Sequence, residues 1–395
     1  MRPLHVRLIA LYCLVLATGN AIGSSNAVPP LAATGNATAI APPELPIRME
    51  AGPWNAGHVQ GIAVDRQRGH VYYSFTRLLA KYDFDGRLLA TLDGWHGHFG
   101  DLDFNPDDGR LYGSLEYGDA QAFYIAVVDT TRMDRVGMDA SAPGVLSTVL
   151  LPEVGQDFSA DLDGDGQATP GAHSADHRYG SSGIDGVAFG PAFGRTDGPR
   201  LLTVAYGIYA NNDRSDNDHQ VLLQYDIGQW ASLARPLDET ALHHSAAGAP
   251  HGKYFVRTGN TTYGVQNLAY DTHGQRWLLG TYKGRKPTFP NYTLFAVEAH
   301  AQPRRGDLVG VQARDQPGWE QGLLLPLADI GLQDPASGIR GWHQKADVGL
   351  QPLGDGLFYL ATNLRRGNLH SARVDLVRWT GAADAPFAAV GEPVP

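Results

Sequence analysis

Short apolar runs of four to eight residues alternate along the chain with turns rich in Gly, Asp and Pro, and the runs favour β-branched and aromatic residues. That pattern predicts strands rather than helices. Five of the runs open on a polar residue: Gln60-Gly-Ile-Ala-Val, Asp101-Leu-Asp-Phe, Asp185-Gly-Val-Ala-Phe, Gln266-Asn-Leu-Ala-Tyr and Gln351-Pro-Leu. A turn and a second strand follow each one, the copies being Val71-Tyr-Tyr-Ser-Phe, Arg110-Leu-Tyr-Gly-Ser-Leu, Leu201-Leu-Thr-Val-Ala-Tyr, Arg276-Trp-Leu-Leu-Gly-Thr and Leu357-Phe-Tyr-Leu-Ala-Thr. Third strands are expected at 123–129, 220–226, 293–298 and 373–379. Repeated units of about four strands are the signature of a β-propeller.

The expected fold is all-β, a β-propeller of five blades with long loop insertions, six or seven blades being the alternative. Gln60 to Asp101 is one blade length of about forty residues, and each later interval is about twice that. The stretches 153–180, 238–262 and 300–320 lack strand pattern and are full of Gly, Pro, Asp or His, which favours insertions over hidden blades. Fourth strands are expected at 144–151 and 321–327. The Pro46-Ile-Arg-Met-Glu segment is expected to serve as the outer strand of the last blade, closing the ring and covering a free edge.

Residues 1–27 read as a signal peptide, with Arg2 and Arg7 before an apolar stretch at 8–17 and small residues at Ser25-Asn26-Ala27. Residues 28–43 form a Pro/Ala-rich leader, and 44–395 a single propeller domain, so the expected location is secreted or periplasmic. The only cysteine, Cys13, falls in the signal, which leaves no disulfide or Cys-based metal site. No later run reaches the roughly 18 apolar residues of a membrane-spanning helix. A net charge of −10 speaks against nucleic acid or anionic membranes as partners. A monomer binding a carbohydrate or another small polar ligand is expected.

If the five leading polar residues face the axis, Gln60, Asp101, Asp185, Gln266 and Gln351 form a ring in the central channel. Its plainer role is structural, in hydrogen bonding strand starts. Its chemical role would be to converge Asp101 and Asp185, from neighbouring blades, as acid and base or nucleophile in glycoside hydrolysis. Glu116 is a third carboxylate, with Tyr117 beside it as a wall for stacking a sugar. His58, His96 and His98 precede the inner strands, and the His96-x-His98 pair suits a metal held together with Asp101, or the proton acceptor of a lyase.

Tyr206, Tyr209, Asn211, Asn212, Asp213 and Arg214 cluster after one second strand. Tyr282, Lys283, Arg285 and Lys286 do so after another, and Asn363, Arg365 and Arg366 after a third. They suit a ligand groove as well as a solvated loop. Asp161-Leu-Asp163-Gly-Asp165-Gly166 matches the first half of a calcium loop. Ala172 stands where the twelfth-position Glu belongs, with Asp157 or Asp176 as a substitute, and a structural Ca2+ is the expected cofactor. The chain has no P-loop, Gly-x-Ser-x-Gly elbow or His-Glu-x-x-His, so the usual NTPase, esterase and zincin sites are excluded.

His58-Val-Gln-Gly-Ile-Ala-Val-Asp-Arg-Gln-Arg-Gly-His-Val-Tyr-Tyr and Asp101-Leu-Asp-Phe-Asn-Pro-Asp-Asp-Gly-Arg-Leu-Tyr resemble blades of the NHL and YVTN-type propellers. The resemblance is good over 58–130 and looser beyond. It implies the fold and not the reaction, because this superfold carries lactonases, lyases, glycosidases and pure binding modules. The expected function is a secreted carbohydrate-active hydrolase with its site in the central channel. A non-catalytic ligand- or partner-binding propeller and a polysaccharide lyase using His and Tyr are the alternatives.

Overall fold

The period-two runs become hairpins, and the hairpins assemble as blades. A computed structural model describes residues 43–390. The expected signal peptide at 1–27, and the expected leader apart from Pro43, lie outside the described residues. Blade 1 is Val59–Asp65, His70–Phe75, Leu78–Asp83 and Leu88–Asp93, and blade 2 is His98–Asn105, Arg110–Tyr117, Ala122–Asp129 and Leu146–Leu150. Blade 3 is Ser181–Gly190, Leu201–Ile208, His219–Tyr225 and Gly252–Arg257. Blade 4 has three strands, Thr262–Asp271, Arg276–Tyr282 and Leu294–Glu298. Blade 5 is Leu350–Gly354, Leu357–Arg366 and Leu369–Trp379, completed by Arg48–Trp54 from the other end of the chain.

The protein is thus a five-bladed β-propeller, and the fold-level likeness to NHL and YVTN-type repeats holds. Alternate residues of a strand face opposite sides of its sheet. Each middle strand therefore feeds two interfaces: Val71, Tyr73 and Phe75 pack toward blade 5, and Tyr72 toward blade 2. Five apolar clusters result, one between each pair of adjacent blades. Burying each large side chain in them contributes about 1.5–3 kcal/mol. The closing strand obeys the same rule. Met49 and Ala51 point into the cluster between blades 5 and 1, while Arg48 and Glu50 face solvent.

Two of the expected insertions carry strands. Gly252–Arg257 is the fourth strand of blade 3, and Arg304–Gln312 with Trp319–Leu324 forms a hairpin whose second strand runs parallel to it. The strand expected at 321–327 therefore belongs to blade 3 rather than blade 4. Arg304–Gln312 escapes a pattern reading because it lies at the rim, where one face is wet. Gly306, Gly310 and Gly322 further dilute the alternation. The insertion at 153–180 holds only a short helix, Pro152–Phe158, one 3-10 turn and irregular chain. Among the described residues no helix is long and apolar enough to cross a membrane.

Candidate functional site

The hairpin registers align the inner strands. Asp65 pairs with His70, Asn105 with Arg110, Gly190 with Leu201 and Asp271 with Arg276. Counting back equally from these ends, the equivalent positions are Gln60, Gly100, Asp185 and Gln266. Each of these four strands has a β-bulge at this level, between Val59 and Gly61, Phe99 and Leu102, Ile184 and Val187, and Val265 and Asn267. Bulges bend a strand and re-aim its side chains, and here they turn three polar side chains into the same mouth of the channel.

Within that mouth, His98 lies at the centre. Its Nδ1 is 3.5 Å from Glu116 Oε1 and 3.9 Å from Asp185 Oδ1. Its Nε2 is 2.9 Å from the side-chain amide of Gln60, which also reaches Thr76 Oγ1 at 3.0 Å. Glu116 Oε2 accepts the Ile184 N–H at 3.0 Å, and Gln266 Nε2 donates to Asp185 Oδ2 at 2.7 Å. Gly183 makes room for this arrangement. At φ +130° it sits where a Cβ would fall 1.9 Å from Glu116 Oε2. To one side, His58 Nε2 meets the Tyr282 hydroxyl at 3.1 Å. The three ionisable side chains remain partly open to solvent, His98 at 32%, Glu116 at 20% and Asp185 at 11%.

The electrostatics follow from this crowding. Burial disfavours the charged form of His98, but the adjoining Glu116 carboxylate and the charge of Asp185 outweigh it and raise the pKa to about 9. Burial pushes the Asp185 carboxyl up, and the Glu116 charge adds to this while His98 and Gln266 oppose it. His58 moves the other way, to about 4, through burial and then the charges of His98 and His370. A neutral His58 can accept the Tyr282 O–H.

The structure does not join Asp101 to Asp185 as a pair. Asp101 sits one residue further along its bulge, deeper in the channel. There its Oδ2 accepts the N–H of Val187 in blade 3 and of Leu268 in blade 4, both at 3.0 Å. Asn267, at the same depth, donates from Nδ2 to the Gln60 carbonyl of blade 1 at 2.7 Å. Together they knit four blades across the axis, so Asp101 is a staple rather than a channel acid.

Gln351 is also out of phase. Gly349 holds the ring level in blade 5, and the Gln351 side chain donates to the Pro352 carbonyl at 3.3 Å. It lines a cavity of about 810 Å³ at the opposite mouth with Asp103, Arg66, Arg68, Arg200 and Tyr270.

Other candidates are dispersed. Tyr117 points to the face of its strand opposite Glu116 and donates to Glu239 Oε1 at 2.7 Å. His96 bonds the same Glu239 at 2.7 Å from the loop before the inner strand, so no His96–His98–Asp101 metal site forms. Tyr206 is fully buried between blades and donates to Asp157 Oδ2 at 2.7 Å, away from the channel. Tyr209 stays near the mouth, where the Glu116 charge helps raise its pKa after burial.

Arg214 and Lys286 are structural ties. Arg214 binds Asp216 and the His177 carbonyl, and Lys286 binds Asp218, Asn217 and the Arg214 carbonyl. Asn363 accepts the Val59 N–H. Asp165 caps the Gln167 N–H at 2.8 Å, and Asp157 is engaged by Lys253, so neither joins Asp161 and Asp163. The sequence pattern does not single out Glu239 or Asn267. The second could have been found, because Gln266-Asn267 puts two amides at the head of one inner strand.

Fold and mouth define a class: a five-bladed β-propeller with a His–Glu–Asp cluster at one end of its channel. No family model matches the chain. No curated protein matches it either. Among solved structures it is similar to the hydrazine synthase of Kuenenia stuttgartiensis, at 12% identity and a TM-score of 0.35, covering 82% of this chain and 84% of that one. It is also similar to the soluble aldose sugar dehydrogenase of Escherichia coli in its apo form, at 10% identity and a TM-score of 0.34, covering 83% and 99%. A third is the Cps50 (Swd1) β-propeller domain of Myceliophteria thermophila, at 8% identity and a TM-score of 0.28, covering 80% and 82%. Likeness this distant says nothing of activity.

Proposed function

We propose that this mouth is the catalytic centre of a carbohydrate-active hydrolase, with Asp185 as the acid and Glu116 as the base or nucleophile. The observation that carries the reading is the approach of both carboxyl groups to one imidazole nitrogen, at 3.5 and 3.9 Å, with burial pushing the Asp185 carboxyl up toward its protonated form. A pair of carboxyl groups, one of them disposed to carry a proton, is what glycoside hydrolysis needs. The acid protonates the leaving oxygen, and the other carboxylate attacks the anomeric carbon or activates water. His98 acts as a positioning residue: its charge holds the two carboxyl groups in register, and Gln60 fixes its ring.

The surroundings suit a polyhydroxylated ligand. Gln60 and Gln266 offer amides, and Tyr282 a hydroxyl. Tyr263 stands 53% exposed at the head of the blade 4 inner strand, close to Tyr209, as an aromatic edge for a sugar face. On a panel of oligosaccharides, wild-type protein should release reducing ends with saturated products. Asp185→Asn and Glu116→Gln should each lower turnover by about 10²–10⁴-fold while ligand binding by calorimetry persists. Binding without turnover in the wild type would make the protein a carbohydrate receptor. Unsaturated products absorbing in the ultraviolet would make it a lyase, and either result would overturn the hydrolase.

A further inference from the structure

We propose that Asp161, Asp163 and Asp176 bind a calcium ion, and that the ion orders the insertion between blades 2 and 3 against the channel mouth. One carboxylate oxygen from each residue lies within 4.8 Å of the other two. Proximity alone would describe any acidic surface, but two of these residues also carry a carboxylate oxygen that is shut away from water and has no partner. Asp176 is only 1% exposed. Its Oδ2 is satisfied by the Thr169 N–H at 2.7 Å and the Ser174 hydroxyl at 3.0 Å, while its Oδ1 has no partner. Asp161 repeats the arrangement: Oδ2 takes the Gly166 N–H at 3.2 Å, and Oδ1 is shielded and unpaired. Buried carboxylate oxygens beside a third carboxylate are costly unless a cation joins them.

The donor chemistry selects the ion. Three carboxylates on an irregular loop, with backbone carbonyls and water to fill the remaining places, suit calcium, which takes six to eight oxygens in flexible geometry. Zinc prefers His and Cys, neither of which is in the cluster. The loop itself is shaped for the task. Gly164 and Gly166 adopt φ of +75° and +78°, which lets the chain turn back on the first carboxylate. Asp176 supplies the acidic group that the linear motif lacks at its twelfth position, and Asp165 is left to cap Gln167.

The position gives the ion a job. His177 follows Asp176 directly, and its ring lies 5.1 Å from that of Tyr209. Arg214 grips the carbonyls of Ser174 and His177 on the same segment. Ordering residues 161–177 therefore sets the backing of Tyr209 at the mouth. The site stands on its own observations and holds whatever the mouth does.

The test uses the full chain stripped with EDTA and titrated with CaCl2, followed by calorimetry, thermal unfolding and limited proteolysis. One site is expected, with a raised Tm and protection of the 161–177 segment. Asp176→Asn and the exposed Asp163→Ala should each weaken binding by about tenfold or more, whereas Asp165→Asn should change it less than about twofold. If Asp176→Asn fails to fold, shown by circular dichroism, Asp163→Ala carries the test. No heat or Tm shift at about 10 mM CaCl2 would overturn the proposal. So would wild-type affinity in Asp163→Ala, equal binding of MgCl2, or loss confined to Asp165→Asn.

Discussion

At the scale of single residues, His98 and Gln60 constrain one another. A charged imidazole donates from both nitrogens, so Gln60 must turn its oxygen toward Nε2, whereas a neutral ring can take the amide N–H instead. The folded-state pKa of about 9 lies above the ordinary 6.5, so the folded protein holds this proton more tightly than the unfolded chain. The resulting stability is fully present below pH about 6.5 and is lost as pH rises through about 9. Tm should therefore fall between those values more steeply in wild type than in His98→Gln, as followed by thermal unfolding in matched buffers. Identical slopes would remove His98 as the cause.

Asp101 makes a different forecast. Asp101→Ala leaves the Val187 and Leu268 N–H groups without their acceptor, at about 1–3 kcal/mol each. Urea unfolding should show that loss, where a surface-accessible catalytic acid would cost activity and little stability.

At the scale of elements, what was legible followed from burial, and what was not followed from bulges. Inner and second strands announce themselves because both faces are packed and their residues are β-branched or aromatic. Asp185, Gln266 and Gln60 share one level of their inner strands, as the repeated motif implies. Asp101 carries the same outward signature, yet the extra residue in its bulge turns it into the deeper layer, and Gln351 lies further along a strand without that bulge. A bulge has no composition of its own here, so one-residue phase errors cannot be seen in the chain. Glu116 stands out in the sequence together with Tyr117, and only strand alternation separates the two.

The closing strand was legible in position and can be tested by its own period. Met49→Asp buries a charge between blades 5 and 1 and should lower stability by several kcal/mol, measured by urea unfolding. Glu50→Ala, one residue along and exposed, should leave it nearly unchanged.

At the scale of the whole molecule, five apolar clusters and one polar layer do separate work. The clusters hold neighbouring blades together, and the Asp101–Asn267 layer ties blades across the axis while dividing one mouth from the other. Insertions concentrate around blade 3, where extra strands widen the sheet and the 153–180 loop reaches the mouth. The outermost of these strands, Arg304–Gln312, is hard to read in the chain because a rim strand needs only one apolar face.

The ring is shut by a pairing between the two ends of the fold, Arg48 bonding Asp375 from 327 positions away. On a ribosome the first of the described strands therefore has to wait for its partner. Until Leu369–Trp379 emerges, Met49 has no sheet to join, and blade 1 presents an uncovered flank. Every earlier blade can form its hairpins locally, but the circle itself cannot be completed piecemeal. A contact so distant along the chain carries a large loop-closure cost and cannot form before Leu369–Trp379 has been made.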